Sequence, residues 1–309
     1  MSWTASDIPD QTGRVAIVTG ANSGLGLETA RELARNGAHV IMAARNLEKA
    51  AIAEADIRNA IPTASLEVRR LDLGSLESVE AFAVGVLQAQ DRIDILVNNA
   101  GVMGTPRGET TDGFELQFGT NHLGHFALTA RLMPALMQSQ AGRVVTVTST
   151  ARHFGGKLDV DDPHLTEKYG PWRAYGQSKR ANSHFAIELD RRLKGSRAPV
   201  ESLLAHPGYS HTNLQAQSFH STGGRGRSQK FFHTMVQRVG MGQAAGALPQ
   251  LRAATDPNAK GGELYAPRFV NNGPPVRRPI LPSSRRTTDL TALWELSERE
   301  TGVAFDIPK

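Results

Sequence analysis

The chain has 309 residues, 39% of them hydrophobic and 21% charged, with a formal charge of +5 and no cysteine. That length can bury a sizeable core, while the lack of cysteine excludes disulfides, thiolate metal sites and cysteine nucleophiles. No apolar run reaches the roughly 18 residues of a membrane-spanning helix, and no helix-turn-helix, zinc-finger or RNP pattern accompanies the positive charge, so nucleic-acid binding is set aside. The start, Met1-Ser2-Trp3-Thr4-Ala5-Ser6-Asp7-Ile8-Pro9, lacks the basic and apolar regions of a signal peptide, so a cytoplasmic location is expected.

Strand and helix patterns alternate from residue 13 onward. Val15 to Thr19 is a short apolar run that predicts a buried strand. A glycine-rich turn follows, then a helix through Glu28, Leu33 and Ala34, stopped by Gly37. A strand is expected from His39 to Ala43, and a helix from Leu47 to Asn59, ended by Ile61-Pro62. Leu66 to Leu71 predicts a third strand, Leu76 to Gln88 a helix, and Ile93 to Val97 a fourth strand. Phe114 to about Met137 reads as one or two helices, Arg143 to Thr148 as a strand and Arg173 to Lys194 as a long helix. Val200 to Ala205 and Glu263 to Ala266 complete the strand set.

This rhythm predicts an α/β fold: a Rossmann-type, doubly wound parallel sheet with helices on both faces, the whole of 1–309 forming one domain. Two stretches break it. Residues 209–240, with Gly223-Gly224-Arg225-Gly226-Arg227, read as an excursion over the site. Its Phe219, Phe231 and Phe232 suggest an apolar or aromatic substrate. Residues 267–309 form a basic, proline-rich tail: extended surface chain with Pro267, Pro274, Pro275, Pro279 and Pro282, then a short amphipathic helix from Leu290 to Arg299. Such a tail suits contact with a partner or a second copy of the chain.

Thr19-Gly20-Ala21-Asn22-Ser23-Gly24-Leu25-Gly26 joins the first strand to the first helix. Glycine lets a backbone approach phosphates closely, and a helix N-terminus offers free N–H groups with partial positive charge. The second strand ends at Ala43-Ala44-Arg45-Asn46. An acidic residue there would hold the ribose hydroxyls of NAD, and would repel a 2′-phosphate. Arg45 instead favours NADP(H) over NAD(H), because a guanidinium pairs with phosphate in bidentate fashion.

Tyr175-Gly176-Gln177-Ser178-Lys179 opens the long helix. Residues four apart share a face, so the Lys179 ammonium is expected to draw the Tyr175 phenol down from its usual pKa near 10. Ser149 ends the fifth strand, where its hydroxyl can meet a carbonyl oxygen that gains negative charge. Asn98-Asn99-Ala100-Gly101 follows the fourth strand, and Asn121 lies in the helix after it. Singly, each asparagine reads as a cap or turn former.

The ordered set is far more specific. The glycine turn, Asp72-Leu73, Asn98-Asn99-Ala100-Gly101, Asn121, Ser149, Tyr175 with Lys179, and Pro207-Gly208 together resemble the short-chain dehydrogenase/reductase family over roughly residues 13–266. The long Ser149-to-Tyr175 spacing and the alanine–arginine strand end are similar to its retinol-dehydrogenase-like branch. The resemblance implies an oxidoreductase acting between a carbonyl and an alcohol. Tyr175 would be the proton donor or acceptor, Lys179 would bind the nicotinamide ribose, Ser149 would orient the substrate oxygen, and Asn121 would hold a relay water. Gly20, Asn22, Ser23, Gly24, Leu25, Gly26 and Arg45 would surround the phosphates. Asp72, Leu73, Asn98, Ala100 and Gly101 would meet the adenosine side, and Pro207, Gly208 and Thr212 the nicotinamide end. It also implies a small-molecule carbonyl or alcohol substrate, which the lid phenylalanines would make apolar, and a homodimer or homotetramer. The alternative is a cofactor-binding sensor without turnover, which retention of Tyr175 and Lys179 argues against.

Tyr169 is a decoy, since Arg173 rather than lysine lies four residues on. His122 and His125 lack the glutamate of an H-E-x-x-H motif, so no metal site is expected. His206, beside Pro207-Gly208, is placed near the site.

Overall fold

In the computed structural model, which describes residues 2–154, 156–209 and 241–307, the apolar runs line up as one eight-stranded sheet. The strands are β1 (Val15–Thr19), β2 (His39–Ala44), β3 (Ser65–Arg70), β4 (Ile95–Asn98), β5 (Gly142–Val147), β6 (Val200–Ala205), β7 (Leu264–Pro267) and β8 (Pro275–Arg278). Their spatial order is β3-β2-β1-β4-β5-β6-β7-β8. Pairs from β3 through β7 are parallel, and β8 closes the edge antiparallel to β7, with Tyr265 opposite Arg277.

The helices are α1 (Gly24–Arg35), α2 (Leu47–Ala60), α3 (Leu76–Ala89), α4 (Gly124–Leu136), α5 (Pro171–Ser196), α6 (Gln243–Thr255) and α7 (Thr287–Thr301). Local chemistry sets several of their starts. Asn46 accepts from Lys49 N at 2.8 Å at the head of α2, and Ser75 accepts from Ser78 N at 3.2 Å at the head of α3. Pro171 occupies the first turn of α5, where its missing N–H leaves no helical bond unmade.

Alternate strand residues feed opposite faces, as the two-residue strand period requires. Val18, Val40 and Val97 pack with Leu33 of α1, Ile57 of α2 and Leu251 of α6. Ile17, Ile41 and Leu96 face the other way, onto Phe82 of α3, Phe126 of α4 and Phe185 of α5. Strands buried on both sides read as continuous apolar runs, which is why they were visible in the sequence.

The expected extended surface chain after residue 267 is corrected in two respects. Residues Pro275–Arg278 are a strand of the sheet, with the Arg277 guanidinium donating to Glu263 Oε1 at 2.9 Å. Helix α7 is longer than expected and buries Leu293, Trp294 and Leu296. Trp294 packs on Phe126 and Phe185, and Phe305 closes over it with ring centres 4.6 Å apart. The expected amphipathic helix is thus present, and it packs into the core. The expected lid at 209–240 falls, apart from Tyr209, outside the described residues, as do Thr212 and the three lid phenylalanines.

The strand order reverses between β1 and β4, since β2 and β3 lie to one side and β5 onward to the other. In open parallel sheets, the carboxyl ends of strands at such a point diverge and leave a crevice. Thr19 ends β1 and Asn98 ends β4 at this point.

Candidate active site

A cleft of about 670 Å³ opens at that crevice. Its floor is the glycine turn. Gly20 has φ +68°, and a Cβ there would stand 3.1 Å from Ala100 Cα. At Gly26 a Cβ would collide with the Gly20 carbonyl oxygen. So Gly26 packs the turn against itself, while Gly20, Asn22, Ser23, Gly24 and Leu25 line the cleft. Ser23 caps α1 by backbone geometry only, without a side-chain cap bond, which leaves the first N–H groups of α1 for an anion.

At one end of the cleft stand Arg45, Asn46 and Lys49. Arg45 is exposed, and among the described residues its guanidinium makes no ion pair or hydrogen bond. Asp72 and Leu73 form the adjacent wall, the Asp72 carboxylate accepting from Gly74 N at 2.9 Å. This half of the site fits a dinucleotide: a glycine cradle that a side chain would fill, uncapped helix N–H groups and a free guanidinium.

The asparagines divide by strand register. Asn99, Ala100 and Gly101 line the cleft. Asn98 does not; still within β4, it turns into the protein and donates to Thr129 Oγ1 at 2.9 Å. Thr19, unassigned from sequence, holds the loop. Its hydroxyl oxygen accepts from both Asn99 N and Ala100 N at 2.9 Å.

The other end carries Ser149, Tyr175 and Lys179, brought together from β5 and α5. The Ser149 hydroxyl lies beside the Tyr175 phenol, near enough to favour its ionised form. The Lys179 ammonium donates to the Val147 carbonyl at 3.3 Å and lies 5.8 Å from the Tyr175 ring centre. The expected lowering of the Tyr175 pKa by Lys179 is not what the geometry yields. Burial pushes Tyr175 up to about 12, opposed only by the nearby Ser149 hydroxyl. Burial likewise pushes Lys179 down to about 8, because desolvation disfavours each charged form.

Asn121 stands behind this wall rather than in it. It lies in a π-helical turn, Gly119–Leu123, leading into α4, a form of helix common at functional sites. Its side chain is committed: Oδ1 accepts from Val102 N at 2.7 Å, and Nδ2 donates to Val102 O and Ser178 Oγ, each at 2.9 Å. That amide shapes the loop beneath the cleft.

Pro207, Gly208 and Tyr209 close the far side. His206 does not face the cleft; it is 2% exposed, and burial pushes its imidazole down to about 3. The mouth is apolar, made by Val102, Met103, Phe154 and Trp172, with the Trp172 ring edge-on to Tyr175 at 6.2 Å. Sequence reading missed Trp172, whose signal was its position one helical turn before Tyr175. Tyr169 is structural as expected, donating to the Thr105 carbonyl at 2.9 Å. No group of three metal-ligating side chains occurs among the described residues.

Residues 14–223 match the short chain dehydrogenase family. The chain belongs to that family. Its relatives within the family include retinol dehydrogenases. This short-chain dehydrogenase is 46% identical to human Retinol dehydrogenase 13 over 217 residues, 68% of this chain and 65% of that protein. It thus spans just under two thirds of that relative's length. With mouse Retinol dehydrogenase 14 the identity is 36% over 305 residues, 94% of this chain and 86% of the relative. An uncharacterized protein from Mycobacterium Paratuberculosis has a crystal structure that superposes with a TM-score of 0.81 at 42% identity, covering 99% of each chain. A short chain dehydrogenase from Shigella flexneri, crystallised with NADP, shares the fold at a TM-score of 0.62 and 24% identity, over 84% of this chain and 97% of that one. Among the described residues, no helix of this short-chain dehydrogenase is long and apolar enough to cross a membrane.

Proposed function

We propose that this chain is an oxidoreductase that uses a nicotinamide dinucleotide, NADP(H) in preference to NAD(H), to interconvert a carbonyl and an alcohol on a small apolar substrate. The observation that carries this reading is the convergence of Ser149, Tyr175 and buried Lys179 on one cleft, at the crevice where the sheet reverses.

When bound, the dinucleotide supplies or accepts the hydride. The protein's part is positioning and proton transfer. In reduction, Ser149 donates a hydrogen bond to the substrate oxygen. Tyr175, a phenol at neutral pH, gives its proton to that oxygen as the carbon gains the hydride. The phenolate charge that remains on Tyr175 is stabilised by the Lys179 ammonium. In oxidation the same groups run in reverse, with Tyr175 taking the proton from the alcohol.

The preference for NADP(H) rests on Arg45 and Lys49 at the β2 end and on Ala44 in the place of an acidic residue. The apolar mouth, with Phe154 79% exposed, suits an apolar carbonyl compound, and the names of the relatives make retinoids the first class to test. The catalytic set is Ser149, Tyr175 and Lys179, with Asn121 positioning the loop behind them, and the whole chain acts as one domain. Absorbance assays of NADPH and NADH consumption across aldehydes, ketones, quinones and retinoids test the reading. Turnover with neither cofactor would overturn it.

A further inference from the structure

His125 is buried, 1% exposed, in the first turn of α4. Its two ring nitrogens reach opposite ways. Nδ1 lies 2.9 Å from the Asn121 carbonyl oxygen, and Nε2 lies 2.9 Å from Thr19 Oγ1. A buried histidine with two partners is ordinarily a packing residue. Here both partners carry the cleft. Thr19 Oγ1 holds the N–H groups of Asn99 and Ala100, which line it. Asn121 holds both backbone groups of Val102, which lines it on the substrate side.

The tautomer follows from counting donors and acceptors. Thr19 Oγ1 accepts two N–H bonds, which use both lone pairs, so its own hydrogen must point outward. Two acceptors are in reach: the Val97 carbonyl at 3.3 Å and His125 Nε2 at 2.9 Å. The imidazole is the nearer. If Nε2 accepts, Nδ1 bears the proton, and the Asn121 carbonyl is the acceptor that Nδ1–H requires. One hydrogen-bond chain then runs from Ala100 and Asn99 through Thr19 and His125 to Asn121, with every member satisfied. Lys179 and His122 are the titratable groups facing this ring; burial and the Lys179 ammonium disfavour a second proton on it.

We propose that His125 is a positioning residue for the reaction, whose neutral Nδ1–H form ties the dinucleotide-side loop at Asn99-Ala100 to the substrate-side turn at Asn121. Its catalytic consequence rests on the dehydrogenase reading above; its tautomer and its effect on dinucleotide binding do not.

Two conservative variants sever one end each. In His125→Asn the amide nitrogen stands where Nδ1 stood and keeps the Asn121 bond, but nothing reaches Thr19. In His125→Gln the longer amide reaches the Nε2 position and keeps Thr19, but the Asn121 bond is lost. Loss of one such bond corresponds to about a fivefold to tenfold effect. We expect His125→Asn to weaken NADPH binding by about that factor in a fluorescence titration, and Thr19→Val, which also loses the Asn99 and Ala100 N–H bonds, to weaken it more, with His125→Asn adding nothing in the double variant. We expect His125→Gln to leave the NADPH Kd within about twofold and to lower kcat by about tenfold with retinaldehyde as the carbonyl probe. Parallel changes of Kd and kcat in both variants would overturn the proposal, because a residue that only packs the core moves both together. Nitrogen-15 NMR of the wild-type protein decides the tautomer independently of how the variants fold. A neutral ring protonated at Nδ1 is expected at pH 7, and a proton on Nε2, or on both nitrogens, contradicts it. If the wild type binds NADPH but reduces nothing, the dehydrogenase reading fails, while the tautomer and the Kd comparison still decide the role of His125.

Discussion

The Lys179 ammonium sits 5.8 Å from the centre of the Tyr175 ring, and burial favours the neutral form of both groups, Tyr175 rising to about 12 and Lys179 falling to about 8. At pH 7 the pair is therefore a phenol beside an ammonium, which is the state that carbonyl reduction requires. Raising the pH through about 8 removes the lysine's charge before the tyrosine ionises. We expect the pH profile of kcat for reduction to fall with an apparent pKa near that of Lys179. In Lys179→Met the falling limb should vanish along with most of the activity, by about a hundredfold or more. The same lysine binds fewer protons folded than unfolded between about 8 and its ordinary value of 10.5, so its contribution to stability rises with pH across that window.

Arg45 and Lys49 make the cofactor preference testable without a substrate. Replacing a guanidinium that pairs with a phosphate removes a charge-assisted bond of about 1.5–3 kcal/mol. Arg45→Ala should therefore weaken NADPH binding by about ten- to a hundredfold and leave NADH binding nearly unchanged. Calorimetric titration of both cofactors into both proteins reads this directly. An equal loss for the two cofactors would remove Arg45 from the phosphate site.

Trp294 fixes the end of the chain. It is 1% exposed, packs on Phe126 and Phe185, and lies under the Arg192 guanidinium at 4.2 Å. Trp294→Ala should cost about 3–5 kcal/mol of stability, read from urea denaturation. A cost under about 1 kcal/mol would mean that α7 is not anchored in the core through Trp294.

Four buried imidazoles are held neutral by desolvation: His122 and His206 near 3, His125 and His184 near 4. Unfolded, each takes up a proton below about 6.5. The unfolded state thus binds more protons in the window from about 6.5 down to 4, and stability falls as the pH falls through it. Each group contributes at most about 1.4 kcal/mol per pH unit there. Thermal melts between pH 7 and pH 5 should show a steep drop in Tm, partly relieved in His184→Gln. A flat Tm over that range would show that these rings gain no extra protons on unfolding.

Much of this architecture was legible before the structure, for physical reasons that vary by element. Strands β1, β2 and β4 to β7 announce themselves because both faces are largely covered, so they read as apolar runs, while the partly exposed edge strand β3 was legible only from the strand–helix rhythm. Ser149, Tyr175 and Lys179 were legible from order and spacing. What failed depends on tertiary context. Strand β8 is made of prolines and arginines and becomes a strand only because β7 offers it an open edge and Glu263 pairs Arg277. Pro275 is tolerated there because it opens an edge strand. Asn98 and Asn99 differ by one step of a two-residue period, and only the sheet shows that the first faces Thr129 and the second faces the cleft. The opposing pKa shifts of Tyr175 and Lys179 likewise come from burial, which spacing along a helix does not reveal.

The most direct test is NADPH consumption by the wild type and by Tyr175→Phe, run side by side with matched NADPH affinities measured by titration. The substitution removes one oxygen and leaves the ring that Trp172 meets edge-on. We expect turnover to drop by about a hundredfold or more with the NADPH Kd within about threefold of wild type. Turnover that survives the loss of the hydroxyl would contradict the assignment of Tyr175 as the proton donor, and with it the central claim.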